Sequence, residues 1–268
     1  MYLSTEVEKV ASKFSAPPFD FDGCFIHDYD GEAYFKFILI NAFSIALPSG
    51  EKFFIDSLKK SLSSIEDPET KSAVRIFMMQ EAVHSKYHSI YNKTCCRENG
   101  YSLARLEAPF LFNSAYVANN NSDQYCLALT VCLEHLTAVA SEALLTHDWL
   151  DICAPSVAEF WKWHALEEID HRSVAYDLYM TTYKDKAFLN QVMSEVYLKF
   201  ARFLEKTMHT MASSDGKSAK ALKVWLRESD FMVGQQGVIP YFMQLIERFY
   251  EADFHPDTHF DLSILASL

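Results

Sequence analysis

The stretch Trp161-Lys162-Trp163-His164-Ala165-Leu166-Glu167-Glu168-Ile169-Asp170-His171 decides how this chain is read. His164, Glu168 and His171 follow one another at spacings of four and three, which on an α-helix puts all three side chains on one face. Gln80-Glu81-Ala82-Val83-His84-Ser85-Lys86-Tyr87-His88 repeats the pattern with Glu81, His84 and His88. A lone Glu-x-x-His is close to chance in a chain with ten histidines. Two of them, each mid-helix, each extended by a further histidine on the same face and about 87 residues apart, fit two antiparallel helices of one bundle.

The surrounding text agrees. Seven glycines and eight prolines in 268 residues leave long uninterrupted stretches, and with half the residues hydrophobic a sizeable core is affordable, so the class expected is all-α. A first helix is expected over Glu32–Leu47, broken at Pro48-Ser49-Gly50 and resuming from Glu51 to Ser63. Asp67-Pro68-Glu69 is a helix start, with Asp at the N-cap and Pro at the first helical position, and Asn99-Gly100 is the matching stop. A polar stretch then ends at Asn119–Asp123. Further helices are expected from Gln124 to about Trp149, Ser156 to about Tyr183 and Lys186 to Met211, with shorter ones over about 218–230 and 238–250. The chain reads as a single domain over 1–268, a bundle over about 32–185 followed by a C-terminal helical extension over about 186–268.

A net charge of −12 argues against nucleic acid or an anionic membrane surface as the main partner and leaves a small-molecule substrate as the expected one. Six cysteines form no Cys-x-x-Cys pair and several sit in apolar helical text, consistent with a reduced, cytoplasmic protein. Met1–Pro18 has mixed charges and no apolar run, so no secretory signal is expected there. The most apolar run, Phe35–Leu47, is shorter than the roughly 20 residues that span a bilayer, and no membrane span is expected.

Carboxylate oxygen and imidazole nitrogen together suit iron, manganese or zinc, and adjacent helical turns bring a Glu and a His to one ion without strain. Dinuclear sites in bundles use that pair twice and add one Glu from each of the other two helices. The third helix offers Glu134 in strongly apolar text; Glu142 lies two turns on, about 12 Å along the axis, so only one of them can reach the same ion. Glu134 is the choice. On the first helix Glu51 is the candidate, although a glutamate just after a break ordinarily serves the helix dipole and faces water. Glu51, Glu81, Glu134 and Glu168 carry four negative charges, which two divalent ions would neutralise. His88 is a candidate extra ligand or a neighbour that supports one, and Thr137, one turn after Glu134, could hydrogen-bond an oxygen species on the metal.

At Pro48-Ser49-Gly50-Glu51-Lys52-Phe53-Phe54, Phe77–His84, Glu134-His135-Leu136-Thr137 and Trp161–His171 the chain resembles the ferritin-like family of predicted metal-dependent hydrolases, and Phe254-His255-Pro256 looks like that family's C-terminal His-Pro element. The resemblance implies a ferritin-like four-helix bundle with additional N- and C-terminal helices, and implies Glu51 as a ligand. His164-x-x-x-Glu168-x-x-His171 is also similar to the p-aminobenzoate N-oxygenase type of di-iron protein, which implies His164 as a third nitrogen ligand. The leading functional expectation is therefore a di-iron oxygenase or oxidase with two iron ions and O₂ as co-substrate, acting on a small organic molecule in a pocket walled by aromatics. A dinuclear metal-dependent hydrolase with the same ligands is the alternative, and a non-catalytic metal-binding helical protein the second. The aromatic C-terminal segment (Phe231, Tyr241, Phe242, Phe249, Tyr250) could close the pocket or form the seam of a homodimer.

Overall fold

The computed structural model describes residues 17–26 and 28–259, so the expectation about a secretory signal falls almost wholly on residues outside that range. All regular structure among the described residues is helical. In chain order the helices are α1 (Gly31–Ser61), α2 (Pro68–Asn99), α3 (Leu103–Asn120), α4 (Asp123–Thr146), α5 (Pro155–Asp170), α6 (Val174–Thr182), α7 (Lys186–Ser214), α8 (Ala219–Glu228), α9 (Asp230–Val233), α10 (Val238–Arg248) and α11 (Pro256–His259). α1 packs on α2 and α4 packs on α5 and α6, and the two groups face each other through α1·α4 and α2·α6. This is the all-α bundle expected.

The buried apolar side chains fall into two clusters. One joins the first half of α1 (Tyr34–Leu47) to the end of α2 (Tyr91, Cys95, Cys96), the end of α4 (Leu144) and the start of α5 (Phe160, Trp161). The other joins the second half of α1 (Phe53, Phe54, Leu58) to the start of α2 (Val74, Phe77), the first half of α4 and α6. α1 and α2 therefore run antiparallel, as do α4 and α5, while α2 and α4 run in the same direction, and the polar residues singled out in the sequence lie in the seam between the two clusters.

Three local expectations are corrected. The first helix is not broken: α1 is continuous, with Pro48 inside it. A proline in a helix interior leaves the carbonyl four residues back without its N–H, here that of Ser44. The side-chain amide of Asn92 on α2 donates to that carbonyl at 2.9 Å, and Ser85 Oγ donates to the Pro48 carbonyl at 3.2 Å. The neighbouring helix thus satisfies what the proline removes. Secondly, residues 103–120 form a helix, α3, despite Pro109 and a polar end; only Leu106 and Phe110 of it are buried, so it carries little of the apolar periodicity that betrays a helix. Thirdly, the helix expected over 156–183 is interrupted: α5 ends at Asp170, His171 has φ −104° and ψ 11°, and α6 starts at Val174. The α2 boundaries are as read, with Asp67 accepting from the Thr70 N–H at 2.8 Å and Gly100 closing the helix at φ 71°, a left-handed conformation.

α1 and α4 are long and apolar enough to cross a bilayer by length and composition, but 72% and 94% of their most apolar windows are buried within the bundle. The 13-residue run read from the sequence is part of a longer apolar helix, and its apolar faces are spent on the core. Cys95, Cys96, Cys126 and Cys132 are buried, as small apolar residues in helical text should be.

The C-terminal aromatics are drawn onto the bundle. Phe249 is fully buried, Phe231 and Phe242 pack against the core, and Tyr241 donates to the Glu142 carboxylate. His255 pairs with Asp177 at 2.9 Å, while Arg172, in the α5–α6 break, donates to the Pro256 carbonyl at 3.2 Å and meets Asp257 at 3.0 Å. The His-Pro element therefore fastens the chain immediately after His171.

Candidate metal centre

The structure brings together every metal-ligand candidate from the sequence. Glu51 (α1), Glu81, His84 and His88 (α2), Glu134 (α4), His164 and Glu168 (α5) and His171 (the α5–α6 break) are all buried, none more than 4% exposed. One ligand atom from each of Glu81, His84, Glu168 and His171 lies within 4.8 Å of the others, and the same holds for Glu51, His88 and His164. Glu134 Oε2 is 3.4 Å from His171 Nδ1, and Glu81 Oε1 is 3.2 Å from His171 Nε2, so the imidazole stands between the two carboxylates. His84 Nδ1 faces Glu168 at 3.4 Å and Glu81 at 3.6 Å.

Each residue reaches the seam for a local reason. Because α1 runs through Pro48, Glu51 sits mid-helix and points inward instead of capping a new helix towards water. The bend of the backbone at His171 turns its ring between α2 and α4, where Phe77 packs edge-on at 4.7 Å between ring centres. Trp163 holds His84 edge-on at 5.1 Å, and Phe160 and Trp161 hold His88 at 4.8 and 5.1 Å. Glu134, not Glu142, joins the cluster; Glu142 instead accepts from Tyr241. Thr137 Oγ1 donates to the Glu134 carbonyl at 2.9 Å, so its proton is committed to its own helix, and its side chain lines a cavity beside the cluster.

The test of fit to metal is the set of buried atoms that have no other work. Both carboxylate oxygens of Glu51, Glu81 and Glu134, Glu168 Oε2, His84 Nδ1 and both ring nitrogens of His171 have no hydrogen-bond partner among the described residues. Buried polar atoms are nearly always satisfied, and four carboxylates in one apolar seam are costly without cations. Burial, reinforced by the neighbouring carboxylates, lifts the carboxyls of Glu51 and Glu134 well above the ordinary range and that of Glu81 to about 7. Burial likewise pushes His164 down to about 4, keeping it neutral, as a ligand must be. The donor set is compatible with a dinuclear metal site.

A family model described as a predicted metal-dependent hydrolase matches residues 16–259. The chain belongs to that family. No curated protein and no solved structure matches it. Within this member of the predicted metal-dependent hydrolases, the structure adds residues that sequence reading missed. Glu167 Oε2 accepts from His84 Nε2 at 2.9 Å, which leaves Nδ1 to face Glu81 and Glu168. Glu167 stands next to Glu168 in the motif, but adjacent positions on a helix do not share a face, and only the tertiary fold shows that it reaches back to α2. Asn92 continues the α2 face of Glu81, His84 and His88 by one more turn, a spacing legible in the sequence, whereas its partner Ser44 carries no signal of its own.

Beside the cluster lies an apolar cavity of about 160 Å³ lined by Gly50, Phe53 and Phe54 of α1, Leu133 and Thr137 of α4 and Phe200 of α7, with Lys199 at its edge. Gly50 and Leu133 are the immediate neighbours of Glu51 and Glu134. Phe200 also lines a larger apolar cavity of about 430 Å³ between α1, α4, α7 and the C-terminal helices.

Proposed function

We propose that this protein is a dinuclear metal-dependent hydrolase acting on a small, largely apolar substrate that enters through the cavity beside Glu51 and Glu134. The observation that carries the reading is the convergence of buried carboxylate oxygens and imidazole nitrogens without hydrogen-bond partners in the seam between the two core clusters, in a chain of the predicted metal-dependent hydrolase family. Glu51, Glu81, His84, Glu134, His164, Glu168 and His171 would hold two divalent ions, and four carboxylates balance their charge. Such ions, when bound, supply Lewis acidity and a water of lowered pKa at neutral pH. The protein's own contribution is to hold the ligands on four helices, to fix His84 through Glu167, and to wall the site with Phe77, Phe160, Trp161 and Trp163.

A second reading, an O₂-activating di-iron oxidase or oxygenase, is favoured by one feature: the site is closely sheathed in aromatic side chains and bordered by an apolar cavity, surroundings suited to chemistry that excludes water. The same ligands would serve. Metal content and turnover of ester, amide and phosphoester panels, measured with and without O₂, separate the two. Hydrolysis that persists anaerobically, stops with a chelator and is absent from Glu81→Ala and His171→Ala is expected. Consumption of O₂ by the iron-loaded protein without hydrolysis would replace the first reading with the second, and wild-type metal stoichiometry in both variants would overturn the ligand assignment.

A further inference from the structure

A chain of buried polar groups runs from the turn of α1 that precedes Pro48 to His164, and its hydrogen-bond directions are fixed by elimination. Pro48 has no N–H, so the Ser44 carbonyl has no intrahelical donor and accepts from Asn92 at 2.9 Å. A carbonyl can only accept, so the Asn92 atom facing it is the amide nitrogen, and Oδ1 faces Ser44 Oγ at 2.6 Å. The Ser44 hydroxyl therefore donates to Asn92. Its oxygen is then left to accept from His88 Nδ1, 2.8 Å away. With the proton on Nδ1, neutral His88 offers a lone pair at Nε2, which lies 2.9 Å from His164 Nδ1. His164 must donate there, and its own lone pair is at Nε2, 2.7 Å from a Glu168 carboxylate oxygen. A lone pair and a carboxylate oxygen 2.7 Å apart repel each other unless a proton lies between them or a metal ion is bound beside both.

We infer that Asn92, Ser44 and His88 form a hydrogen-bond relay that locks His164 in its Nδ1–H tautomer and so presents Nε2 to a metal ion. The inference rests on the proposed metal reading for its purpose, though the tautomers follow from the protein alone. His88 is thereby a positioning residue: its Nε2 is occupied by His164 and does not itself reach for the ion. The relay does for His164 what Glu167 does for His84, but with neutral groups. His164 thus stays a neutral ligand, and the centre gains no carboxylate beyond Glu167 and the four ligand glutamates.

The direct test is a long-range ¹H–¹⁵N spectrum of protein labelled with ¹⁵N-histidine and stripped of metal, with His88→Gln and His164→Gln for assignment. Both histidines are expected to be neutral and protonated at Nδ1; a proton on His164 Nε2 overturns the relay. Cobalt(II) titration supplies the second readout. The wild type is expected to take up two ions per chain, and Ser44→Ala and His88→Gln to bind one of them about 10–100-fold more weakly, with the other unchanged. Loss of one ion in His88→Gln as complete as in His164→Ala would make His88 a ligand and overturn the relay. Equal affinity in all the variants would do so as well. A wild type with the expected tautomers that takes up no cobalt would instead overturn the metal reading while the relay stands.

Discussion

Single residues in the seam set the protein's dependence on pH. The carboxyls of Glu51 and Glu134 are held well above the ordinary range and that of Glu81 at about 7, chiefly by burial. For His84, burial acts downward but is outweighed by the hydrogen bond to Glu167 and by the nearby carboxylates of Glu168 and Glu81, and it too ends well above its ordinary value. Each of these groups holds its proton more tightly folded than unfolded, so each favours folding at low pH and withdraws that contribution as pH rises through its folded value. His88 and His164 are shifted the opposite way by burial, but above their ordinary value of 6.5 they are neutral in both states. The metal-stripped protein is therefore expected to lose stability as pH rises above about 6.5, the ordinary histidine value, read as a falling urea midpoint. The metal-loaded protein should not follow, because metal binding has already expelled those protons. A metal-free midpoint that rises over this window would show that the carboxylates are not crowded as described.

At the scale of elements, α1 and α2 are tied by an exchange between proline and asparagine. Pro48 lets α1 carry Glu51 without breaking only because Asn92 supplies the missing donor to Ser44. Asn92→Leu is expected to destabilise the protein by about 1–3 kcal/mol, the cost of a buried acceptor left unsatisfied. In a Pro48→Ala background, where residue 48 again has an N–H for the Ser44 carbonyl, the same substitution should cost less by about 1 kcal/mol, a coupling that a double-mutant cycle in denaturant reads directly. Additive costs would mean that Asn92 does not serve the proline's orphaned carbonyl. The break between α5 and α6 is the other element-scale device: it leaves His171 at the end of α5 with its ring between Glu81 and Glu134 and hands the chain directly to Arg172 and the tail.

For the whole molecule, the C-terminal helices close the bundle and secure its metal side. Arg172 to Pro256 and Asp257, Tyr176 to the Phe254 carbonyl at 2.7 Å and His255 to Asp177 all tie the tail to the segment that carries His171. Ending the chain after Asp253 removes these ties and uncovers apolar surface on α4 and α6 around His135 and Tyr176. The truncated protein is expected to melt at least several degrees lower and to bind metal more weakly, as measured by thermal unfolding with and without zinc. Wild-type zinc affinity in a folded truncation would show that the tail has no part in placing His171.

The helical class, the α2 boundaries and the two Glu-x-x-His faces are legible in the chain alone, because caps and 3.6-residue periodicity are local properties. So is Glu134, since a carboxylate in apolar text has few inexpensive places to go. That α1 passes through Pro48, that the helix over 156–183 breaks at His171, and that Glu167, Ser44 and Asn92 serve the histidines emerge only on folding. Those outcomes depend on donors and acceptors from helices distant in sequence. A proline's lost hydrogen bond, a turned imidazole and a histidine's tautomer are each settled by a partner that no local window contains.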